Sequence, residues 1–203
     1  MVFNTKPRVK SKIKSKKRNK VNTKKIKSTY DGGSAFAKGG FGCVFKPELS
    51  CKNSDVPRRP NYVSKLIKKS NGEREYMYIY NVKKKLENLP ANIKKYFLLD
   101  NITMCDPKAL SDKDKVKIEN VCGYILTDVS DGNTNMPITS DTLNNNLHKF
   151  KIINMPELSM TLHDYILKTV LSPANFVTIN NIIIEYLTVV IPAMYKNNVV
   201  HSD

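Results

Sequence analysis

The stretch that most constrains this chain is Ala37-Lys38-Gly39-Gly40-Phe41-Gly42-Cys43-Val44-Phe45-Lys46. Three glycines within four positions remove the Cβ atoms that keep a backbone at a distance, and a β-branched and aromatic run follows at once. Two readings fit: a tight hairpin whose turn needs small residues, and a loop whose N–H groups cradle a phosphate. Both predict two strands between Tyr30 and Pro47, with Phe36 before the turn and Val44 and Phe45 after it.

A second strand-like alternation, Asn61-Tyr62-Val63-Ser64-Lys65-Leu66-Ile67, sets one lysine among apolar neighbours. Period two puts Val63 and Ile67 on the face of Lys65 and Leu66 on the other. The plainer alternative is a lysine on an exposed strand edge, beside Lys68 and Lys69. Residues 48–60, with Pro57 and Pro60, read as the polar loop before this strand. From Asn71 to Leu89 the spacing predicts a helix in which Glu75 shares its stripe with Ile79, Val82, Leu86 and Leu89. Glu73 shares a more mixed face with Met77, Tyr80 and Lys84, at a first turn where any carboxylate suits the helix dipole. Glu75 is therefore the carboxylate expected to face inward.

Farther on, Tyr96-Phe97-Leu98-Leu99 and Val121 to Leu126 read as strands around a charged insertion at Ser111 to Lys117. Asp128 to Asn146 reads as a long surface loop. Phe150 to Met155 is a further strand. Thr161 caps a helix that runs to about Leu171 and is ended by Ser172-Pro173. A second helix, about Thr178 to Lys196, is apolar on nearly all sides and must be surrounded to be stable in water; Pro192 is expected to kink it. Its apolar core, Ile182 to Tyr195, contains Glu185, Thr188 and Pro192 and falls short of the roughly 18 residues of a membrane span, so it reads as a buried helix and no membrane is expected.

The net charge of +16 belongs to one end. Residues 1–28 hold 12 Lys and Arg and no acid, which leaves 22 basic against 18 acidic residues elsewhere. Residues 1–29 are expected to be a disordered basic arm, either a plain solvated tail or a contact for nucleic acid or another polyanion. No apolar signal segment follows Met1. Cys43, Cys51, Cys105 and Cys122 show no C-x-x-C pairing, so reduced thiols in an intracellular compartment, cytoplasmic or nuclear, are expected. His148, His163 and His201 are too far apart to suggest a metal site.

The glycine turn with G-x-x-G-x-V spacing, the strand lysine Lys65, and His201-Ser202-Asp203 occur in an order that resembles the protein kinase family, most closely the serine/threonine kinases of large DNA viruses. The resemblance covers roughly residues 30–203. It implies an α+β fold: a kinase small lobe of antiparallel sheet plus one helix at 30–155, with insertions, then the hinge and first helices of the large lobe at 156–203. It also implies ATP bound along Ala37, Lys38, Gly39, Gly40, Phe41, Gly42, Cys43 and Val44, with Lys65 on the phosphates, Glu75 fixing Lys65, and Asp203 accepting the proton of a protein substrate's hydroxyl. Ala37 stands where the family has its first glycine. Pro156-Glu157-Leu158 takes the place of the hinge. The family's Mg²⁺ ligands would follow Asp203, so residues 1–203 alone are expected to transfer phosphate poorly, and to self-associate or pair with a separate C-terminal half. The rival reading is a non-catalytic nucleotide- or partner-binding module; a Leu-Lys-x-x-Asn and D-F-G-like continuation would decide between them.

Overall fold

The computed structural model describes residues 33–123, 127–128, 136–137, 139–158, 160–169 and 172–200. The basic arm, His201 and Asp203 lie outside these residues.

The glycine stretch forms a hairpin of β1 (Ser34–Gly39) and β2 (Gly42–Lys46). Gly39 pairs with Gly42, so Gly40 and Phe41 alone make the turn. The register shifts between Ala35 and Ala37, and Phe36 at this bulge is exposed. After the polar loop comes β3 (Tyr62–Lys68), which runs without a break into α1 (Lys69–Lys85). Lys83, Lys84 and Lys85 in the last turn of α1 complement its carbonyl end. Short elements follow: α2 (Ala91–Lys94), β4 (Thr103–Cys105), α3 (Asp112–Lys115), α4 (Ile118–Cys122), the paired β5 (Thr127–Asp128) and β6 (Met136–Pro137), and α5 (Leu143–Asn146). A 3-10 turn at Leu147–Lys149 leads into β7 (Phe150–Pro156). The chain then forms α6 (Leu162–Lys168), α7 (Pro173–Glu185), a π-helical turn at Tyr186–Val190, and α8 (Ile191–Lys196).

The main sheet has five antiparallel strands in the order β1-β2-β3-β7-β4, and helices complete an α+β fold. Its register separates two faces. Cys43 lies opposite Leu66, which lies opposite Ile152; these residues and Phe45, Ala35 and Phe150 are buried on one face. Leu110, Ile118, Cys122, Leu143 and Leu147 from the 106–149 region pack onto that face as a cover. Phe45 and Phe150 alone remove enough apolar surface to contribute about 1.5–3 kcal/mol each. The other face carries Val44, Lys65 and Ile153 in one cross-strand row and receives the start of α1.

A buried carboxylate ties the cover down. Asp114 accepts from the Arg58 guanidinium through both oxygens (2.5 and 2.8 Å), from the Gly33 N–H at 2.5 Å, and from the Ser111 N–H and hydroxyl at 2.9 and 2.8 Å. Burial pushes Asp114 up; the Arg58 guanidinium and the Gly33 and Ser111 donors outweigh it and hold the carboxyl below its usual range.

Several expectations are corrected. Tyr96 to Leu99 forms no strand: Tyr96, Phe97 and Leu99 are apolar because they line a hollow of about 280 Å³ shared with Ile79, Val190 and Met194. Val121 and Cys122 belong to helix α4, and the fifth strand is the short Thr103–Cys105 instead. Asp128 to Asn146 is not all loop, since it contains β6 and α5. Thr161 does cap α6, accepting from the Asp164 N–H at 3.0 Å, but Ser172-Pro173 opens a helix rather than ending one: Ser172 caps α7 and Pro173 takes its first turn, where a missing N–H costs nothing. The π-helical turn lies immediately before Pro192 and absorbs the break that the proline imposes. The four thiols are not free. Cys43 pairs with Cys122 and Cys51 with Cys105, because the register brings distant segments together in a way that spacing along the chain does not reveal.

The helical stretch Pro173–Lys196 is not buried either. Ile182, Ile184, Leu187 and Ile191 stand 42–55 % exposed, and by length and composition alone the stretch is long and apolar enough to cross a bilayer. The end of this region is tied to α1: the Tyr78 hydroxyl donates to the Val200 carbonyl at 3.0 Å and the Lys85 ammonium to that of Asn198 at 2.7 Å.

Candidate active site

The site is assembled where the glycine hairpin passes over β3. Lys65 sits opposite Val44 on one side and Ile153 on the other, so its side chain leaves the sheet on the uncovered face. One turn and a half into α1, Glu75 reaches back to it. The Lys65 Nζ lies 2.8 Å from Glu75 Oε1 and 2.7 Å from Oε2, a charge-assisted pair with both side chains partly shielded, 20 % and 29 % exposed. Glu73 is exposed and makes no such contact. The geometry thus selects the residue that the helical stripe indicated.

The helix can approach this closely because residue 72 has no side chain. A Cβ there would lie 2.9 Å from Ile67 Cγ2 and 3.2 Å from Lys151 Cβ, so Gly72 lets the first turn of α1 rest directly on β3 and β7.

The hairpin glycines divide into two kinds. A Cβ on Gly42 would fall 2.5 Å from the Leu66 carbonyl oxygen, so this glycine is required by the sheet itself. Gly39 and Gly40 face no such obstacle: a Cβ on Gly40 would meet nothing within 4 Å, and one on Gly39 would come no nearer than 3.6 Å to any neighbour, with Lys65 Cε at 3.7 Å. None of the three adopts a positive φ. Close approach therefore requires glycine only at Gly42, unusual backbone angles require it at none of the three, and Gly39 and Gly40 leave open space above the lysine.

Around the pair the uncovered face is apolar and half-exposed. Ala37 pairs with Val44, and Val63 with Met155, each only partly buried. A cleft of about 480 Å³ opens between the hairpin tip at Phe41, Ile67, and the α1 residues Asn71, Arg74, Glu75 and Tyr78. An apolar row beside a fixed ammonium under an open glycine turn can hold a flat apolar ring attached to an anionic tail.

One contact had no signal in the sequence. Lys46, at the end of β2, forms an ion pair with Glu157, just after β7, and the Glu157 N–H donates to the Asn61 carbonyl at 2.9 Å. The segment leaving the sheet is thereby fastened to the base of the hairpin. Lys38 and Phe41 are exposed at the turn, and Cys43 points to the covered face, away from the cleft.

Comparison with known protein families, with curated proteins and with solved structures found no match to this chain.

Proposed function

We propose that the chain is a serine/threonine protein-kinase-like domain that binds ATP in the cleft beneath the glycine hairpin and, with Asp203, directs its γ-phosphoryl group to a protein hydroxyl. The observation that carries this reading is the Lys65–Glu75 pair at 2.7–2.8 Å, joining a central strand to the helix that follows it, beside Gly39, where an added Cβ would stand 3.7 Å from Lys65 Cε. The antiparallel sheet and the placement of the long helix α1 directly after β3 are compatible with a kinase small lobe.

In this reading the N–H groups of Gly39 and Gly40 and the Lys65 ammonium hold the phosphates, Glu75 keeps the ammonium from folding away, and Val44 with Ala37 covers the base. The chemistry asked of these residues is positioning and charge neutralisation. Among the described residues no group of three His, Cys, Asp or Glu side chains could hold a metal ion, so no step is assigned to Mg²⁺.

The test is nucleotide-induced thermal stabilisation. Lys65→Met should abolish the shift produced by ATP, and Lys68→Met, one register position removed from the open face, should keep it. Equal behaviour of the two variants would remove Lys65 from the site. For transfer itself, which residues 1–203 alone are expected to perform poorly, any label that passes from γ-³²P-ATP to a basic protein substrate should vanish in Asp203→Asn.

The exposed apolar side chains of α7 and α8 favour a second reading, in which the domain binds a partner without catalysis. Retention of the ATP shift with no transfer by the chain or by its longer forms would support it.

A further inference from the structure

At the edge of the cover, on the far side of β4 from the glycine hairpin, a concavity of about 550 Å³ lies between the loop after β2 and the segment after β4. Lys52, Lys108 and His148 line it, and Asp106 is its only carboxylate. That carboxylate is already engaged: Lys151 donates to it at 2.7 Å. The Lys151 hydrogen bond, ahead of a small opposing effect of burial, holds Asp106 below its usual range, and the charges of Lys151, Lys69 and Lys52 add to it. Lys52, Lys108 and His148 thus line the hollow, and Lys151 occupies its carboxylate.

The cations are held on a stiff frame. The Cys51–Cys105 disulfide joins the two walls, Cys51 bridges to Pro107, and the backbone bonds Lys52 N–H to Asp106 (2.8 Å) and Lys108 N–H to Ser50 (2.9 Å) fix the residues that carry the charges. The side-chain amide of Asn144 makes two bonds with the Leu110 backbone, at 2.8 and 3.0 Å, and seats α5 against the same wall. Pro107 and Leu147 give the hollow a buried apolar floor. The backbone that carries Lys52 and Lys108 is thus already ordered before an anion arrives, although their side chains stand exposed.

We infer that this concavity binds the phosphoryl group of a phosphorylated serine or threonine on a partner protein. A phosphate dianion offers three acceptor oxygens to the Lys52 and Lys108 ammonium groups, and the apolar floor suits the short carbon stem that carries it. Nucleic acid fits less well. Among the described residues no Phe, Tyr or Trp ring lines the hollow for a base to stack on, His148 being its one ring, and two lining lysines are fewer than the stripe that tracks a polynucleotide backbone. The inference stands apart from the nucleotide reading of the cleft, since it uses none of the same residues.

Fluorescence anisotropy on the full chain tests it, with a labelled Ala-Ala-phosphoserine-Ala-Ala peptide, its unphosphorylated counterpart and a twelve-residue oligothymidine. The phosphopeptide should bind at least about ten-fold tighter than the unphosphorylated one, from the added charge-assisted bonds. The double variant Lys52→Glu/Lys108→Glu should lose that preference, while Lys94→Glu/Lys95→Glu, an equal charge change elsewhere on the surface, should keep it. If the first double variant does not fold, Lys52→Met/Lys108→Met serves in its place. Equal affinity for the two peptides, equal loss in both double variants, or tighter binding of the oligothymidine would overturn the inference.

Discussion

The two faces of the five-stranded sheet are made from alternate residues of the same strands, yet they are finished differently. On the covered face, Cys43, Phe45, Leu66, Phe150 and Ile152 are wholly or almost wholly buried beneath the 106–149 region. On the other face α1 buries Ile67 and Ile153, while Val44, Val63, Lys65 and Met155 beyond the helix stay half-exposed beside one ion pair. The difference lies in what each face is asked to hold. A sealed apolar face gains hydrophobic free energy and tolerates a buried charge only because Arg58, Gly33 and Ser111 answer every Asp114 oxygen. The half-exposed face leaves apolar area open, as the proposed nucleotide site requires. One strand register serves both ends, so Lys65 could not shift by one residue without entering the core.

The comparison breaks first, if it breaks at all, at the disulfides. They close sequence separations of 79 and 54 residues, and opening either one restores chain freedom worth roughly 4 kcal/mol in the loop-entropy view. Replacing all four cysteines by serine should therefore lower the urea midpoint more than any other change here; an unchanged midpoint would mean that the cover is not cross-linked to the sheet. Next comes Asp114→Asn, which leaves the Arg58 guanidinium without its anion and should cost about 3–5 kcal/mol by chemical denaturation. Because the folded carboxyl titrates below its unfolded range, its stabilisation is complete above about pH 4 and disappears as the pH falls through the lowered folded value. The wild-type chain should consequently lose stability more steeply than Asp114→Asn on acidification below that point, and parallel acid curves would contradict the assignment.

Smaller effects sharpen the other side. Gly72→Val must push α1 away from Ile67 and Lys151, at about 1–3 kcal/mol, and should weaken ATP binding because Glu75 moves with the helix. A variant that loses stability but binds ATP normally would uncouple α1 from the pair. Smallest in stability is Lys65→Met. A partly exposed ion pair contributes at most about 1 kcal/mol, so the melting temperature without nucleotide should barely move, although the ATP shift is lost. A large drop in the ligand-free protein would make the pair structural.

What the sequence disclosed follows the same division. The hairpin, the face of Lys65 and the choice of Glu75 over Glu73 were legible because each rests on a local period of 2 or 3.6 residues. The cover was not. Thr103–Cys105 is three residues long, too short for any alternation to register, and α3 to α5 are single turns whose apolar residues matter only once the sheet is beneath them. Tyr96-Phe97-Leu98-Leu99 is apolar enough for a strand, but its packing partners lie in α1 and in the π-helical turn and α8, which no strand period can express. The pairing of Cys43 with Cys122 follows from β2 and α4 meeting, and the buried ion pair of Arg58 with Asp114 likewise joins two stretches that each look like ordinary charged loop.

The position of β7 has a consequence for how the chain is made. It lies between β3 and β4, pairing along the whole of β3 from Tyr62 opposite Pro156 to Lys68 opposite Phe150, so the last of the five strands of this sheet to be synthesised is an interior one. As the polypeptide leaves the ribosome, the β1-β2-β3 ribbon can form early, but β3 then presents an unpaired edge throughout the translation of α1 and the cover. Such an edge is a template for pairing with other nascent chains. Closing it depends on a contact of long sequence separation, which makes that step slow. The region most exposed to misassembly during birth is therefore the strand that carries Lys65, and a holdase acting on it would be released only when residues 150–156 emerge.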